Sequence, residues 1–219
     1  KEVIKVKSFS EYCFETLALQ KPFRWPEQLE RSPVTDGDIY KAEEYFGYHF
    51  PKDFSEFLKS YILPVPTLIY GKFKGDWPGG GVTYSFELER YLGEDEMPED
   101  LETCVLEFNL SGLEGMANVK NHSLEKNIER LSWTKTASFG YIFLGDFTDY
   151  LVFLECSTGE IVYIDHDFYT MSHQSEIDNL KKYKSILFKN FHDLLRCLFL
   201  GCVCDGETGE LVSDEHSQI

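Results

Sequence analysis

Residues 138–167, SFGYIFLGDFTDYLVFLECSTGEIVYIDHD, contain the pattern that decides the fold. Three apolar runs, at 141–144, 150–154 and 161–164, are separated by short breaks rich in Gly, Asp, Ser and Thr. Short apolar runs bounded by turn residues are typical of strands, and breaks this short allow only hairpins. The stretch therefore predicts three antiparallel neighbouring strands, which we call the meander.

The apolar runs of the meander do not alternate with polar residues. An antiparallel strand with one solvated face would alternate, so both faces of this sheet are expected to be covered. Helices of the same chain should form one covering layer. The candidates for the other layer are the amphipathic helix predicted at 9–19 and a partner chain.

The rest of the chain supplies helices before the meander and after it. Residues 32–61 predict a helical hairpin, with Thr35 or Asp36 as the first cap, Gly47 as the stop and Pro51 at the start of the second helix. Further segments predict strands at 67–73, 82–88 and 103–110, a short helix at 123–131, an irregular polar segment at 171–184 and a final helix at 185–200.

These elements together predict an α+β fold. An antiparallel sheet of about six strands should carry the helical hairpin and the last helix. We expect an N-terminal helical extension over residues 1–33, one domain over 34–204 and a polar, flexible tail over 205–219.

Composition restricts the class of partner. The chain of 219 residues has 21 Lys and Arg against 38 Asp and Glu, for a net charge of -17. Such a chain repels nucleic acid and anionic membranes, because binding to phosphates depends on clustered Lys and Arg. The natural electrostatic complement is a basic protein, although acidity can also serve solubility alone.

The cysteines and the hydropathy indicate the compartment. The six cysteines are scattered along the chain, as buried thiols of a reducing compartment are, rather than arranged as a disulfide framework. No apolar run approaches the ~20 residues of a membrane span, and the first residues lack the apolar region of a signal peptide. We therefore expect a cytoplasmic protein.

The most enzyme-like cluster is Asp165-His166-Asp167. Strand alternation would place Asp165 and Asp167 on one side and His166 on the other, so they converge on one ion only if the strand ends there. The sequence contains no His-Glu-x-x-His motif and no repeated Cys-x-x-Cys motif to supply further ligands. We predict no catalytic residue, metal or cofactor, and a metal-dependent hydrolase is the least favoured alternative.

Three sets of residues are candidates for binding a protein. Trp77 lies beside Pro78 and a Gly run, where it is less suited to a core than to a partner pocket. The segment around Glu94, Asp95 and Glu96 is either a solvated loop or a docking surface for cations. At the breaks and the end of the meander the candidates are Asp146, Asp149, Asp165, His166 and Asp167.

Two motifs resemble the SUKH superfamily, the Smi/Knr-type group. The hairpin IYKAEEYFGYHFPKDFSEFLKSY is similar to its opening, an acidic helix, a Gly, a Leu-Pro-like step and a Tyr/Phe-rich helix. The matching residues are Glu43, Glu44, Gly47, Pro51, Phe54, Phe57 and Leu58, with Phe50 where Leu is commoner. The meander resembles the second signature, a strand ending in Gly-Asp, another strand, a Gly turn, and a strand ending in acidic residues and His.

The resemblance extends over about residues 34–200 and also includes the helix FKNFHDLLRCL. The chain departs from the family after the second helix, where Tyr61-Ile62-Leu63-Pro64 replaces an Asn-Gly-Gly step. The resemblance implies an immunity protein that binds and neutralises a toxin domain, often a nuclease, because many bacterial members do so. The alternative is a regulatory or scaffolding module, as in eukaryotic relatives.

Overall fold

The computed structural model describes residues 7–21, 25–65, 67–75, 86–91, 105–132, 135–170, 175–206 and 208–213. Before the meander lie α1 (Phe9–Leu19), α2 (Asp36–Phe46), α3 (Lys52–Leu58), β1 (Leu68–Gly75), β2 (Phe86–Tyr91), β3 (Val105–Asn109) and α4 (Leu124–Leu131). A 3-10 helix (Lys135–Phe139) leads into the meander strands β4 (Tyr141–Phe147), β5 (Tyr150–Glu155) and β6 (Ile161–Asp165). After them come α5 (His166–Tyr169), α6 (Glu176–Tyr183), β7 (Ser185–Phe188), α7 (Phe191–Leu195), a π-helical turn (Arg196–Leu200), β8 (Val203–Asp205) and β9 (Leu211–Ser213).

The predicted α+β class and the antiparallel meander are confirmed. All described strands form one antiparallel sheet in the order β7-β6-β5-β4-β3-β1-β2-β8-β9. The six central strands, β1 to β6, match the predicted number. Three short strands extend the sheet at its two edges: β7 beyond β6, and β8 and β9 beyond β2.

The helical hairpin forms as its capping residues predict. Thr35 and Asp38 make a reciprocal capping box at the start of α2, and Gly47 ends that helix with a left-handed φ of 79°. Phe54, Phe57 and Leu58 of α3 are buried in the main core. There they meet one face of the sheet together with α1, α4 and α7.

Both faces of the meander are covered, as predicted. The second layer, however, is formed by neither of the predicted candidates, which were the helix at 9–19 and a partner chain. Helix α1 packs against α3, α7 and the π-helical turn on the main-core side. The opposite face, which includes Phe143 and Phe153, is covered by α5 and α6 through Tyr169 and Leu180. The interpretation of 171–184 as irregular is therefore wrong for residues 176–183, which form α6.

Two further expectations near the C-terminus need correction. Residues 185–188 of the predicted last helix form β7, because this apolar run pairs with β6, Ile161 opposite Phe188 and Val162 opposite Ile186. The helix proper starts at Phe191, with Asn190 as its cap. Part of the predicted flexible tail is also ordered, since Asp205 ends β8 and residues 211–213 form β9. Residues 214–219 lie outside the described part of the chain.

A bulge in β4 decides which side chains reach the core. The register of β4 against β5 shifts between Phe143 and Gly145. Plain alternation after Ile142 and Leu144 would send Asp146 into the main core, whereas the bulge sends Phe147 there instead. Gly145 allows this because its φ is 149° and a Cβ there would lie 1.9 Å from the Asn109 carbonyl oxygen.

The described helices are short. The longest of them, α1 and α2, have 11 residues each. In the described part of the chain, no helix combines the length and the apolar character that a bilayer crossing requires.

Candidate functional site: an acidic rim at one end of the meander

Four neighbouring strands bring carboxylates to one end of the sheet. Phe108 of β3 lies opposite Phe147 of β4, Phe147 lies opposite Tyr150 of β5, and Tyr150 lies opposite Asp165 of β6. This row of paired residues marks the end of the sheet at which the β4–β5 hairpin closes. The carboxylates within two residues of it, which we call the acidic rim, are Glu107, Asp146, Asp149, Asp165 and Asp167.

Glu107 was not among the predicted site residues. It precedes the meander by more than thirty positions in the sequence. Only the pairing of β3 with β4 brings it to the rim, where its carbonyl accepts a hydrogen bond from the Thr148 amide at 3.3 Å. No local sequence signal specifies such a long-range register.

Among the described residues, no cation forms an ion pair with a rim carboxylate. The ion pairs formed among the described residues all involve other acidic side chains. Asp149 and Asp167 are exposed, while Asp146 and Asp165 are half-buried. Burial raises the pKa of Asp146, and the negative charge of Glu107 raises it further. The fold therefore keeps a repulsion between Asp146 and Glu107 that no ion pair among the described residues offsets.

The hairpin at the centre of the rim has an unusual backbone. Thr148 lies in its tight turn with a φ of 51°, in the left-handed region. Hairpin turns of this kind favour Asn, Asp or Gly, because a branched Cβ is strained at positive φ. The turn is also bonded to the start of α5, since the Asp149 carbonyl accepts a hydrogen bond from the His166 amide at 2.9 Å.

The Asp165-His166-Asp167 cluster marks a change from strand to helix. Strand β6 ends at Asp165, and Asp165 caps α5 by accepting a hydrogen bond from the Asp167 amide at 2.8 Å. Strand alternation therefore does not continue to Asp167, and the carboxylate of Asp165 already has a structural task. Of the predicted meander residues, Asp149 and Asp167 are the ones whose side chains are most available to a partner.

At the opposite end of the same strands, a buried carboxylate has both a cation and a hydroxyl group as partners. Tyr141 at the start of β4 lies opposite Glu155 at the end of β5, and its hydroxyl donates to the Glu155 carboxylate at 2.9 Å. Lys184 forms an ion pair with Glu155 and donates to the Tyr141 hydroxyl at 3.1 Å. Burial lowers the pKa of Lys184, but the bonds to Glu155 and Tyr141 outweigh it and leave the pKa raised.

The other predicted binding residues, Trp77, Glu94, Asp95 and Glu96, lie outside the described residues. The part of the chain that is described contains no group of three or more His, Cys, Asp or Glu side chains placed to hold a metal ion. The five cysteines within it, Cys13, Cys156, Cys197, Cys202 and Cys204, are free thiols.

Comparison with known proteins adds no relative: no family model matches the chain, and no significant match exists among the curated proteins or the solved structures.

Proposed function

We propose that the chain is a non-enzymatic, acidic protein-binding module whose acidic rim binds a basic surface of a protein partner. The observation that carries this proposal is the row of carboxylates that have no cationic partner among the described residues. A fold gains stability by neutralising such a row, and perturbed, unrelieved charges concentrate at functional sites. A basic partner would relieve the repulsion between Asp146 and Glu107.

The spread of the rim favours a protein surface as the partner. Neighbouring strands lie about 4.8 Å apart, so a row that crosses four strands extends over roughly 14 Å. This dimension exceeds the coordination sphere of one ion and suits several Lys and Arg side chains on a second protein. The net charge of -17 extends the attraction to longer range.

The most specific form of the proposal is an immunity-type protein. In this form the partner is a toxin domain, such as a nuclease, whose cationic substrate-binding surface is occupied by the rim. Inhibition then needs no chemistry from this chain. Two features support it: the acidic rim, and the resemblance of the hairpin and the meander to the SUKH superfamily.

The test is co-expression with the product of the neighbouring gene. We expect the wild-type chain to bind that product and to restore growth of cells that express it. Asp149→Lys combined with Asp167→Lys should slow association by about tenfold or more, because exposed charges mainly set the on-rate. The wild-type on-rate should fall as salt rises from low to physiological concentration.

A matched control separates the rim from net charge. Glu27→Lys combined with Glu44→Lys changes the net charge by the same amount at two exposed positions on other elements. This control should keep most of the wild-type on-rate. If both double variants slow association equally, or if the on-rate does not depend on salt, the rim is not the surface that binds the partner. Binding of a cellular protein without rescue would indicate the scaffolding alternative.

A further inference from the structure

A cleft of about 480 Å³ lies at the end of the meander opposite the acidic rim. Its walls come from the link between α2 and α3, the 3-10 helix, the ends of β4 and β5, and α6. The side chains that matter here are Tyr48, His49, Phe139, Tyr141, Glu155 and Lys181. This volume falls in the range of roughly 300–1,000 Å³ that is usual for small-molecule sites.

The floor of the cleft is rigid and electrically balanced. Glu155 is 8% exposed, and its charge is neutralised by Lys184 and shared with the Tyr141 hydroxyl. Tyr48 is held by a 2.6 Å hydrogen bond from its hydroxyl to the Ala137 carbonyl. Two tyrosine rings are therefore fixed in position before any ligand arrives.

The mouth of the cleft carries one lysine, Lys181. The ammonium of Lys181 lies 5.7 Å from the centre of the Phe139 ring, and no carboxylate of the described residues pairs with it. His49, the other basic group there, is already bonded to Glu43 at 3.0 Å. Phe139 itself is 56% exposed, which is unusual for a large aromatic side chain.

We propose that this cleft binds a small aryl carboxylate. The aromatic body of the ligand would lie against Phe139, Tyr48 and Tyr141, and its carboxylate would pair with Lys181. The ligand would carry one carboxylate because Lys181 is the lysine of the cleft that forms no ion pair among the described residues, whereas Lys184 already pairs with Glu155. This site is independent of the acidic rim, since it lies at the other end of strands about 20 Å long.

The experiment uses the full chain and ligand-observed NMR. The probes are benzoate, phenylacetate and indole-3-acetate, each compared with its uncharged amide. We expect saturation transfer to at least one carboxylate at millimolar concentration, and binding weaker by about tenfold or more for its amide, because a charge-assisted hydrogen bond is lost. Lys181→Glu should weaken carboxylate binding by a similar factor.

Two further variants make the result decisive. Lys182→Glu changes the charge identically at the next position of α6, which does not line the cleft, and should bind like the wild type. Ser157→Trp fills the cleft from an exposed position without changing charge, and should abolish binding. The proposal is overturned if no carboxylate binds, if the amides bind equally well, if both lysine variants behave alike, or if Ser157→Trp binds normally.

Discussion

The two ends of the meander belong to the same three strands but treat charge and backbone conformation in opposite ways. At the end with Tyr141 and Glu155, a buried carboxylate has a cation and a hydroxyl as partners. At the end with the acidic rim, no cation of the described residues pairs with a carboxylate, and burial and a like charge raise the pKa of Asp146. The same sheet thus pairs its buried carboxylate with a cation at one end, which we call the satisfied end, and leaves the rim carboxylates without an ion pair among the described residues at the other.

The turns repeat this contrast. The β5–β6 turn, at the satisfied end, places Gly159 at its left-handed position, with a φ of 81°. The β4–β5 turn, at the rim, places Thr148 there instead, with a φ of 51°. Strain of this kind persists where the surrounding structure imposes it, and it concentrates at functional sites. This difference between the ends is the reason to expect a partner at the rim, and each of the variants below tests it.

The largest effect is expected at the satisfied end, from Lys184→Met. The variant leaves Glu155, whose side chain is 11% exposed, buried without its cation. We expect the free energy of unfolding to fall by about 2–3 kcal/mol, since removing one partner of a buried pair leaves an uncompensated charge. Chemical denaturation at neutral pH measures the change.

The control for this variant is Lys182→Met, an exposed neighbour on α6, which should change stability by less than about 0.5 kcal/mol. Combining Lys184→Met with Glu155→Gln should cost less than the sum of the single changes, because the unpaired charge is gone. Full additivity would show that the pair contributes nothing as a pair.

The next largest effect on stability is expected from substitutions at the left-handed positions of the two turns, Gly159 and Thr148. Gly159→Thr imposes left-handed strain on a branched residue and should cost about 1–2 kcal/mol of unfolding free energy. The added Cβ meets no clash, since its nearest neighbour is a Pro51 side-chain carbon at 4.0 Å. Thr148→Asn should have the opposite sign and stabilise by about 1 kcal/mol. Both are measured by thermal and chemical unfolding, and equal signs would contradict the contrast.

Much of this molecule was predictable from local patterns. The meander, α1 and the caps of α2 depend on periodicity and on residues adjacent in sequence. The covering layer of α5 and α6 was missed because its polar segment buries few side chains, chiefly Tyr169 and Leu180. The β7 run was misassigned because its three apolar residues, Ile186, Leu187 and Phe188, fit a buried strand and a helix equally well.

The candidate site was predictable only in part. Asp149 and Asp167 follow from their places at a turn and a strand end. The contribution of Glu107 could not be found in the same way, because it depends on which strand pairs with β4 and in which register. The same holds for Lys184, whose role appears only when α6 and β7 bring it to Glu155.

A smaller effect is expected from Tyr141→Phe, at the satisfied end. Loss of the hydroxyl should cost about 1 kcal/mol, because Glu155 keeps Lys184 but loses a donor. Burial raises the pKa of Tyr141 above the ordinary value of 10.0. The native state therefore holds this proton more tightly, and wild-type stability falls as pH rises from about 10 towards the folded pKa.

The Phe variant lacks this titration and should lose stability less steeply at alkaline pH. Tyr40→Phe, at a side chain that is 63% exposed, is the matched control and should follow the wild-type profile. Unfolding free energies measured between neutral pH and about pH 11 distinguish the two. If Tyr141→Phe leaves the dependence of the unfolding free energy on alkaline pH unchanged, the Tyr141 hydroxyl does not contribute to that dependence and this prediction is wrong.

The smallest effect is expected at the rim, from Asp146→Asn, and its sign is the reverse of Lys184→Met. The folded pKa of Asp146 is raised above 3.8 by burial and by Glu107, so the native state binds the proton more tightly than the unfolded chain does. Its contribution therefore lowers stability as pH rises from 3.8 through the folded pKa, and the penalty persists at neutral pH. Removing the charge should raise the free energy of unfolding by about 0.5 kcal/mol at neutral pH and leave it unchanged at strongly acid pH. A loss of stability at neutral pH would mean that the Asp146 carboxylate has a stabilising partner, and the contrast between the two ends would no longer hold.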